Sequence, residues 1–192
     1  MELGILSKKS KYGREIVVNK KHLVILGGGH AGSSAALAAA NHIAKLKKAD
    51  EVHVTLIDKS SYLTIRPRLY EYELEQTQVA LESFLKPLGI SLAQAQVTDI
   101  DFLAQKVHCW FDDCNKCVNY DALVIALGSQ LLYADNTGMR AVHNIDTFDA
   151  ARSFRAAFVK EILSGKQTCR IAILGGGITG LELATELPVT AK

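Results

Sequence analysis

Apolar and polar positions along this chain switch repeatedly between strand-like and helix-like spacing. The run Leu23-Val24-Ile25-Leu26 predicts a buried strand over 22–26, and the alanine-rich stretch after it predicts a helix over 31–47. Val52 to Ile57 reads as a second strand. The aromatic and basic segment 59–71 follows, where Pro67 interrupts any continuous helix. A helix over 78–87 stops at Pro87 and Gly89, and two strands over 91–100 and 105–111 pair antiparallel across a turn from Asp101 to Ala104. Tyr120 to Ser129 reads as a buried strand entering a glycine turn, and a polar linker with Asn136, Gly138 and Asn144 comes next. Phe154, Phe158 and Ile162 have helical spacing and place a helix over 147–163. A last strand from Arg170 to Leu174 then feeds a short helix that stops near Pro188. Residues 1–21 are polar and loose, with a short edge strand at Ile16-Val17-Val18.

The junction of the first strand and first helix carries chemistry. Gly27, Gly29 and Gly32 stand as G-x-G-x-x-G in the segment Gly27-Gly28-Gly29-His30-Ala31-Gly32. The first glycine permits a tight turn, the second lets a pyrophosphate approach the backbone, and the third lets helix and strand pack closely. The helix N-terminus then offers unpaired N–H groups and partial positive charge to phosphate. Asp58 ends the second strand, where a carboxylate can accept hydrogen bonds from a ribose diol. The interval to Asp58 is longer than usual, and the lysine-rich helix end at Lys45, Lys47 and Lys48 absorbs the excess.

The device recurs. Arg170-Ile171-Ala172-Ile173-Leu174-Gly175-Gly176-Gly177-Ile178-Thr179-Gly180 repeats the strand, the glycine spacing and the helix start. Only Leu181 to Leu187 and Pro188 follow before the last residues, whereas a βαβ unit takes about thirty residues. The second unit therefore reads as cut short, without a partner strand or acidic ribose ligand, and is not expected to form a dinucleotide pocket alone.

Composition changes this picture little. Of 192 residues, 48% are apolar and 22 Lys and Arg face 20 Asp and Glu, so a sizeable core fits and a net charge of +2 gives no case for nucleic acid. A solvated leader accounts for the basic residues Lys8, Lys9, Lys11, Arg14, Lys20 and Lys21. No apolar stretch has membrane-spanning length and no secretory signal opens the chain, so a cytoplasmic location is expected.

Taken as a set, Leu23 to Gly32, Leu56-Ile57-Asp58-Lys59, Arg66-Pro67-Arg68-Leu69-Tyr70-Glu71, Val97 to Asp101, Tyr120 to Ser129 and Ile173 to Ala184 resemble the flavoproteins with two dinucleotide-binding domains. Within these the resemblance is to the type II NADH:quinone oxidoreductase-like group. It implies an α/β chain: an N-terminal extension over 1–21, a Rossmann-like FAD-binding domain over 22–145 with a parallel sheet plus antiparallel strands, and a linker helix with the truncated start of a Rossmann-like NAD(P)H-binding domain over 146–192. By resemblance, Gly27, Gly28, Gly29, His30, Ala31 and Gly32 hold the FAD pyrophosphate, while Asp58 with Lys59 holds the adenosine ribose. The backbone at Val97 meets the adenine, Ala126 and Gly128 close over the cofactor, and Arg66 and Pro67 run beside the isoalloxazine. Gly175, Gly177 and Gly180 open the NAD(P)H domain, with Glu182 near the nicotinamide. The implied reaction passes hydride from NAD(P)H to FAD and on to a quinone or another small acceptor. A non-catalytic fragment or partial nucleotide-binding module is the alternative, and a sulfide- or ferredoxin-linked flavoprotein a weaker third.

The chain also departs from that family. Ala126-Leu127-Gly128 stands where the family has A-T-G, and Tyr72-Glu73-Leu74-Glu75 replaces a small-residue stretch. The returning FAD segment, the rest of the NAD(P)H domain and the C-terminal domain that meets quinone or membrane are not in this portion. The uncovered sheet flank is expected to cause self-association or poor solubility.

No catalytic side chain is assigned. Lys59 to Leu92 holds no cysteine, which disfavours a dithiol mechanism. Cys114 and Cys117, with His108 and Cys109, could supply tetrahedral ligands or a redox pair, but adjacent His108 and Cys109 point to opposite strand faces, so hairpin-loop cysteines are the expectation and no metal is assigned. Cys169 reads as a core or edge thiol. His30 reads as a tolerated turn residue or a direct flavin or phosphate contact, Arg66 and Arg68 as neutralising charges or a solvated loop, Trp110 and Phe111 as sheet packing, and Asp112 and Asp113 as turn residues.

Overall fold

The computed structural model describes residues 7–9, 15–17, 20–111, 114–131, 142–164, 168 and 170–190. In chain order the elements are β1 (Ser7–Lys9), β2 (Glu15–Val17), β3 (Lys21–Leu26), α1 (His30–Lys45), β4 (Val52–Asp58), β5 (Tyr62–Thr64), β6 (Gln78–Ala80) and α2 (Leu81–Leu85). They continue with β7 (Ser91–Gln94), β8 (Gln96–Asp101), β9 (Lys106–Phe111), β10 (Cys114–Asn119), β11 (Ala122–Ile125), α3 (Phe148–Ile162) and α4 (Ile178–Thr190). The chain divides into two compact units, Met1–Leu63 with Ala80–Gly128 and Thr64–Val79 with Ser129–Lys192.

The first unit is built on a parallel sheet in the order β11-β3-β4-β7. Side chains alternate across it, so a strand buried on both faces needs an unbroken apolar run. Ile25, Val54 and Leu56 point to one face and pack with Ala36, Leu81, Leu85 and Ile90. Val24, Leu26 and Ile57 point to the other, where Ala95, Val107, Cys109 and Tyr120 cover them. That cover comes from a three-stranded antiparallel sheet, β10-β9-β8. Lys21 adds a lock at the sheet's N-terminal end: its Nζ lies 2.7 Å from Asp121 Oδ1, and the His22 N–H donates to Asp121 Oδ2 at 2.7 Å.

In the second unit Leu69, Leu74 and Ala151 form a small apolar cluster with Ile145 and Phe148. Thr147 caps α3 by accepting a hydrogen bond from the Ala150 N–H at 3.2 Å, satisfying one orphan donor. Arg155, buried in α3, donates to the Tyr70 carbonyl and lies 5.5 Å from the Tyr72 ring centroid.

Four expectations are corrected. The helix over 78–87 begins as strand β6 and turns helical only at Leu81, where the backbone N–H bonds the Ser61 carbonyl at 2.9 Å. The strand over 91–100 is two strands in two sheets: at Ala95 the chain leaves the parallel sheet, its N–H held by the Asp58 carbonyl at 2.9 Å. Cys114 and Cys117 lie on β10, an edge strand with mostly exposed residues, rather than in a loop. Residues 170–176 are not a strand, and α4 runs through Pro188 to Thr190. A parallel strand needs a neighbour to satisfy its backbone, and no described strand pairs with 170–174. Asp112, Asp113, Asn136, Gly138 and Cys169 lie outside the described residues. Among the described residues no helix is long and apolar enough to cross a membrane.

Candidate nucleotide site

The glycine loop sits at the carboxyl ends of β3 and β11. From β3 the chain crosses to β4 on one side, while β11 lies on the other; this reversal opens the crevice where α/β sheets take ligands. Gly27 turns the chain with φ +100°, and its N–H is held by the Ile57 carbonyl at 2.8 Å. A Cβ there would fall 2.2 Å from the Ala126 carbonyl oxygen, and one at Gly32 would fall 1.8 Å from the Gly27 carbonyl oxygen. Backbone touches backbone at both ends of the loop, which only hydrogen allows.

Gly29 differs. Among the described residues a Cβ at Gly29 would meet nothing within 4 Å, so these leave space open beside the middle of the loop. Gly29 is also the N-cap of α1, gives no side-chain cap and is followed by no acidic residue in the first turn. The first-turn amides have no acceptor within their own helix and keep the partial positive charge of the N-terminus. The buried Ser33 hydroxyl steadies the loop by donating to the Gly28 carbonyl at 3.0 Å, a contact the glycine spacing alone did not reveal. His30 and Ala31 are exposed at the helix start.

Asp58 reaches this loop from the end of β4. Its Oδ2 accepts from the Gly28 N–H at 2.5 Å and its Oδ1 from the Ser60 N–H at 2.6 Å. Two backbone donors fix the carboxylate beside the turn, yet a carboxylate has about four acceptor sites, so it retains capacity for a diol. Lys59 is exposed next to it. Val97 lies on β8 opposite Cys109; the register slips between Val97 and Asp99, leaving Thr98 without a ladder partner. The Ala126 N–H bonds the Leu26 carbonyl at 2.8 Å, and Gly128 turns away with φ +76°.

In the second unit, Arg66 is engaged with Asp146. Its guanidinium pairs with the Asp146 carboxylate, its Nε donates to the Asp146 carbonyl at 3.1 Å and its Nη1 to the Ser129 carbonyl at 3.3 Å. Pro67 sits within the single helical turn Arg66–Arg68. Arg68 is forked onto Glu71 at 2.6 and 2.7 Å, which lowers the Glu71 carboxyl below its ordinary range. The charged loop read from sequence is thus an internally paired one. Gly175 turns with φ +115°, and a Cβ at Gly180 would fall 2.3 Å from the Gly175 carbonyl oxygen. Glu182 is half-buried on α4, and its charge is the main cause that raises the Tyr70 phenol above its ordinary value.

Sequence reasoning missed another polar cluster. The Thr55 hydroxyl lies 2.8 Å from His22 Nε2 and 3.2 Å from His53 Nε2, with the rings 5.1 Å apart. Burial lowers both imidazoles below their ordinary pKa, His53 adding to the effect on His22 and Lys20 to that on His53. Only the pairing of β3 with β4 brings these residues together. For the cysteines, Cys109 faces the core and Cys117 the opposite side of the antiparallel sheet, so the tetrahedral set weighed from sequence does not converge.

A NADH dehydrogenase-like protein of Mycobacterium tuberculosis is 31% identical over 171 residues, covering 86% of this chain and 42% of that protein. A type II NADH:quinone oxidoreductase of Staphylococcus haemolyticus is 30% identical over 182 residues, covering 88% of this chain and 43% of its own length. The chain thus spans less than half the length of these relatives. The structure of NDH2 from Plasmodium falciparum in complex with NADH shares the fold, with a TM-score of 0.71 at 24% identity over 88% of this chain and 37% of that one. The model of the pyridine nucleotide-disulphide oxidoreductase family matches residues 21–191, and the chain belongs to that family.

Proposed function

We propose that this chain carries the FAD-holding part of an NAD(P)H dehydrogenase that serves a quinone or another small electron acceptor. One observation carries the reading: the loop is closed backbone to backbone at Gly27 and Gly32, yet a Cβ at Gly29 would meet none of the described residues, at the uncapped start of α1 and beside a fixed carboxylate. That is the shape and charge a pyrophosphate with an attached ribose requires. The Gly27–Gly32 loop would hold the pyrophosphate through its amides beyond Gly28, since the Gly27 and Gly28 N–H groups are taken by Ile57 and Asp58. Asp58 would hold the ribose diol with Lys59 near it, and the backbone at Val97 the adenine. Ala126 and Gly128 would close the crevice, and Arg66 and Pro67 would run beside the ring system. Gly175, Gly177 and Gly180 would begin the nicotinamide nucleotide site, with Glu182 near its reactive ring. FAD would supply hydride acceptance from the nicotinamide and onward delivery to the acceptor; the protein's part is binding, orientation and electrostatics.

The family name points to dithiol chemistry, but residues 59–92 contain no cysteine, which supports direct transfer to an external acceptor. The relatives described as NADH dehydrogenase-like and as NADH:quinone oxidoreductase support the same choice. A second reading, a partial nucleotide-binding module, draws on residues 170–176, which pair with no described strand.

The test is FAD binding followed by flavin absorbance across gel filtration, on wild type and Asp58→Ala. Expected is flavin co-eluting with wild type and affinity at least about tenfold weaker in Asp58→Ala, the loss of charge-assisted bonds to a diol. Protein that elutes colourless at saturating FAD would overturn the assignment of this loop. Flavin that binds but is not bleached by NADH would favour the partial module.

A further inference from the structure

Three strands of the antiparallel sheet place a carboxylate, an imidazole and a thiol in one row. Asp99 on β8 is the ladder partner of His108 on β9, and His108 is the ladder partner of Cys117 on β10. Ladder partners share a face, with Cβ atoms about 5 Å apart. The row faces outward: Cys117 and Asp99 are exposed and His108 is half-buried, whereas Cys109 on the other face is fully buried. The Cys117 Sγ lies 3.2 Å from His108 Nδ1, within sulfur hydrogen-bond distance.

We propose that Cys117 is an activated thiol, a site of covalent modification by small disulfides. As the thiol attacks one sulfur of the disulfide, the His108 imidazole takes its proton at Nδ1, with Asp99 the ladder partner on the other side of His108. A new S–S bond forms to Cys117 Sγ, the reagent's S–S bond breaks, and its other sulfur leaves as thiolate; the disulfide is the oxidant and no further electron acceptor is needed. Among the described residues the row stands on an exposed strand face, open to small disulfides.

The other described cysteines serve as internal comparisons. Cys114 is exposed on the same strand, but its ladder partner is Phe111 and it belongs to the opposite face. Cys114 and Cys117 are three strand residues apart, roughly 10 Å, beyond the reach of a disulfide between them. Cys109 is buried, and burial raises its thiol above the ordinary value.

The experiment treats the full chain with limiting dithiodipyridine at neutral pH and locates the mixed disulfides by mass spectrometry of a non-reducing tryptic digest. Lys116 lies between Cys114 and Cys117, so trypsin separates them. An ordinary thiol is about 3% thiolate at neutral pH, which caps any gain near thirtyfold, and the lower nucleophilicity of a stabilised thiolate reduces it. Cys117 is therefore expected to react at least about fivefold faster than Cys114. His108→Gln should bring Cys117 within about twofold of Cys114 and Asp99→Asn should slow it less, both with the Cys114 rate unchanged. Equal rates at Cys114 and Cys117 in wild type, or a Cys117 rate untouched by His108→Gln, would overturn the proposal. If a variant unfolds, seen as new reactivity at Cys109, the wild-type ratio decides alone.

Discussion

Gly27 turns the first fingerprint with φ +100° and Gly175 turns the second with φ +115°. Each turn brings the third glycine of its motif against the first carbonyl, Gly32 on Gly27 and Gly180 on Gly175. Each helix then closes its first hydrogen bond to the middle glycine, Ser33 N–H to Gly29 at 2.9 Å and Leu181 N–H to Gly177 at 3.1 Å. Around these matching turns the surroundings differ. Val24, Ile25 and Leu26 are fully buried, whereas Ile171, Ile173 and Leu174 are 43%, 36% and 67% exposed. A Cβ at Gly27 would strike Ala126, while one at Gly175 would meet none of the described residues within 4 Å. The turn is a local property of the glycine spacing; the strand and its burial come from partners elsewhere in the chain.

The widest gap between the two copies should follow substitution of the third glycine. Gly32→Ala drives a methyl into the Gly27 carbonyl inside a packed unit and should cost roughly 3 kcal/mol in urea unfolding. Gly180→Ala should cost below about 1 kcal/mol, because the loose surroundings of 170–176 can yield. Equal losses would mean that the second copy is as firmly held as the first. Ile25→Ala removes fully buried methyl groups and should cost roughly 3 kcal/mol, against less than about 0.5 kcal/mol for Ile173→Ala.

The smallest effect is the acid response, which should involve the first copy alone. His22 and His53 sit on β3 and β4 at the end away from the glycine loop, and burial holds both below their ordinary pKa. The unfolded chain therefore binds more protons in mild acid, so stability is full above about pH 6.5 and falls as pH drops toward the folded values. Melting temperatures at about pH 7.5 and about pH 5.5 should show a drop that shrinks in His53→Gln; an undiminished drop would assign it to other groups.

The legible parts of the fold were those whose partners lie close in sequence. β3, α1 and β4 form one βαβ unit, and its apolar run Leu23–Leu26, small-residue helix and terminal carboxylate each state their role in the residues themselves. The turn at Asp101, whose carboxylate accepts from the Ala104 N–H at 2.8 Å, was equally local. Ala95 was not legible as a boundary, because strand residues continue on both sides while the sheet changes beneath them. The polar sequence of β10 conceals a strand because an edge exposed on both faces needs no apolar alternation. Arg66 showed itself as a charge but not its partner, since Asp146 lies 80 residues away.

The contact between Gly27 and Ala126 also orders events in time. The glycine loop is synthesised early, yet one of its walls is β11, which arrives about a hundred residues later. At ribosomal rates of about 5–20 residues per second the loop waits several seconds for that wall. Meanwhile β3 can pair with β4 but offers its other edge to any strand nearby. Closing so long a loop slows folding far more than it costs stability, so the birth of the candidate site is governed by chain connectivity rather than by the glycines.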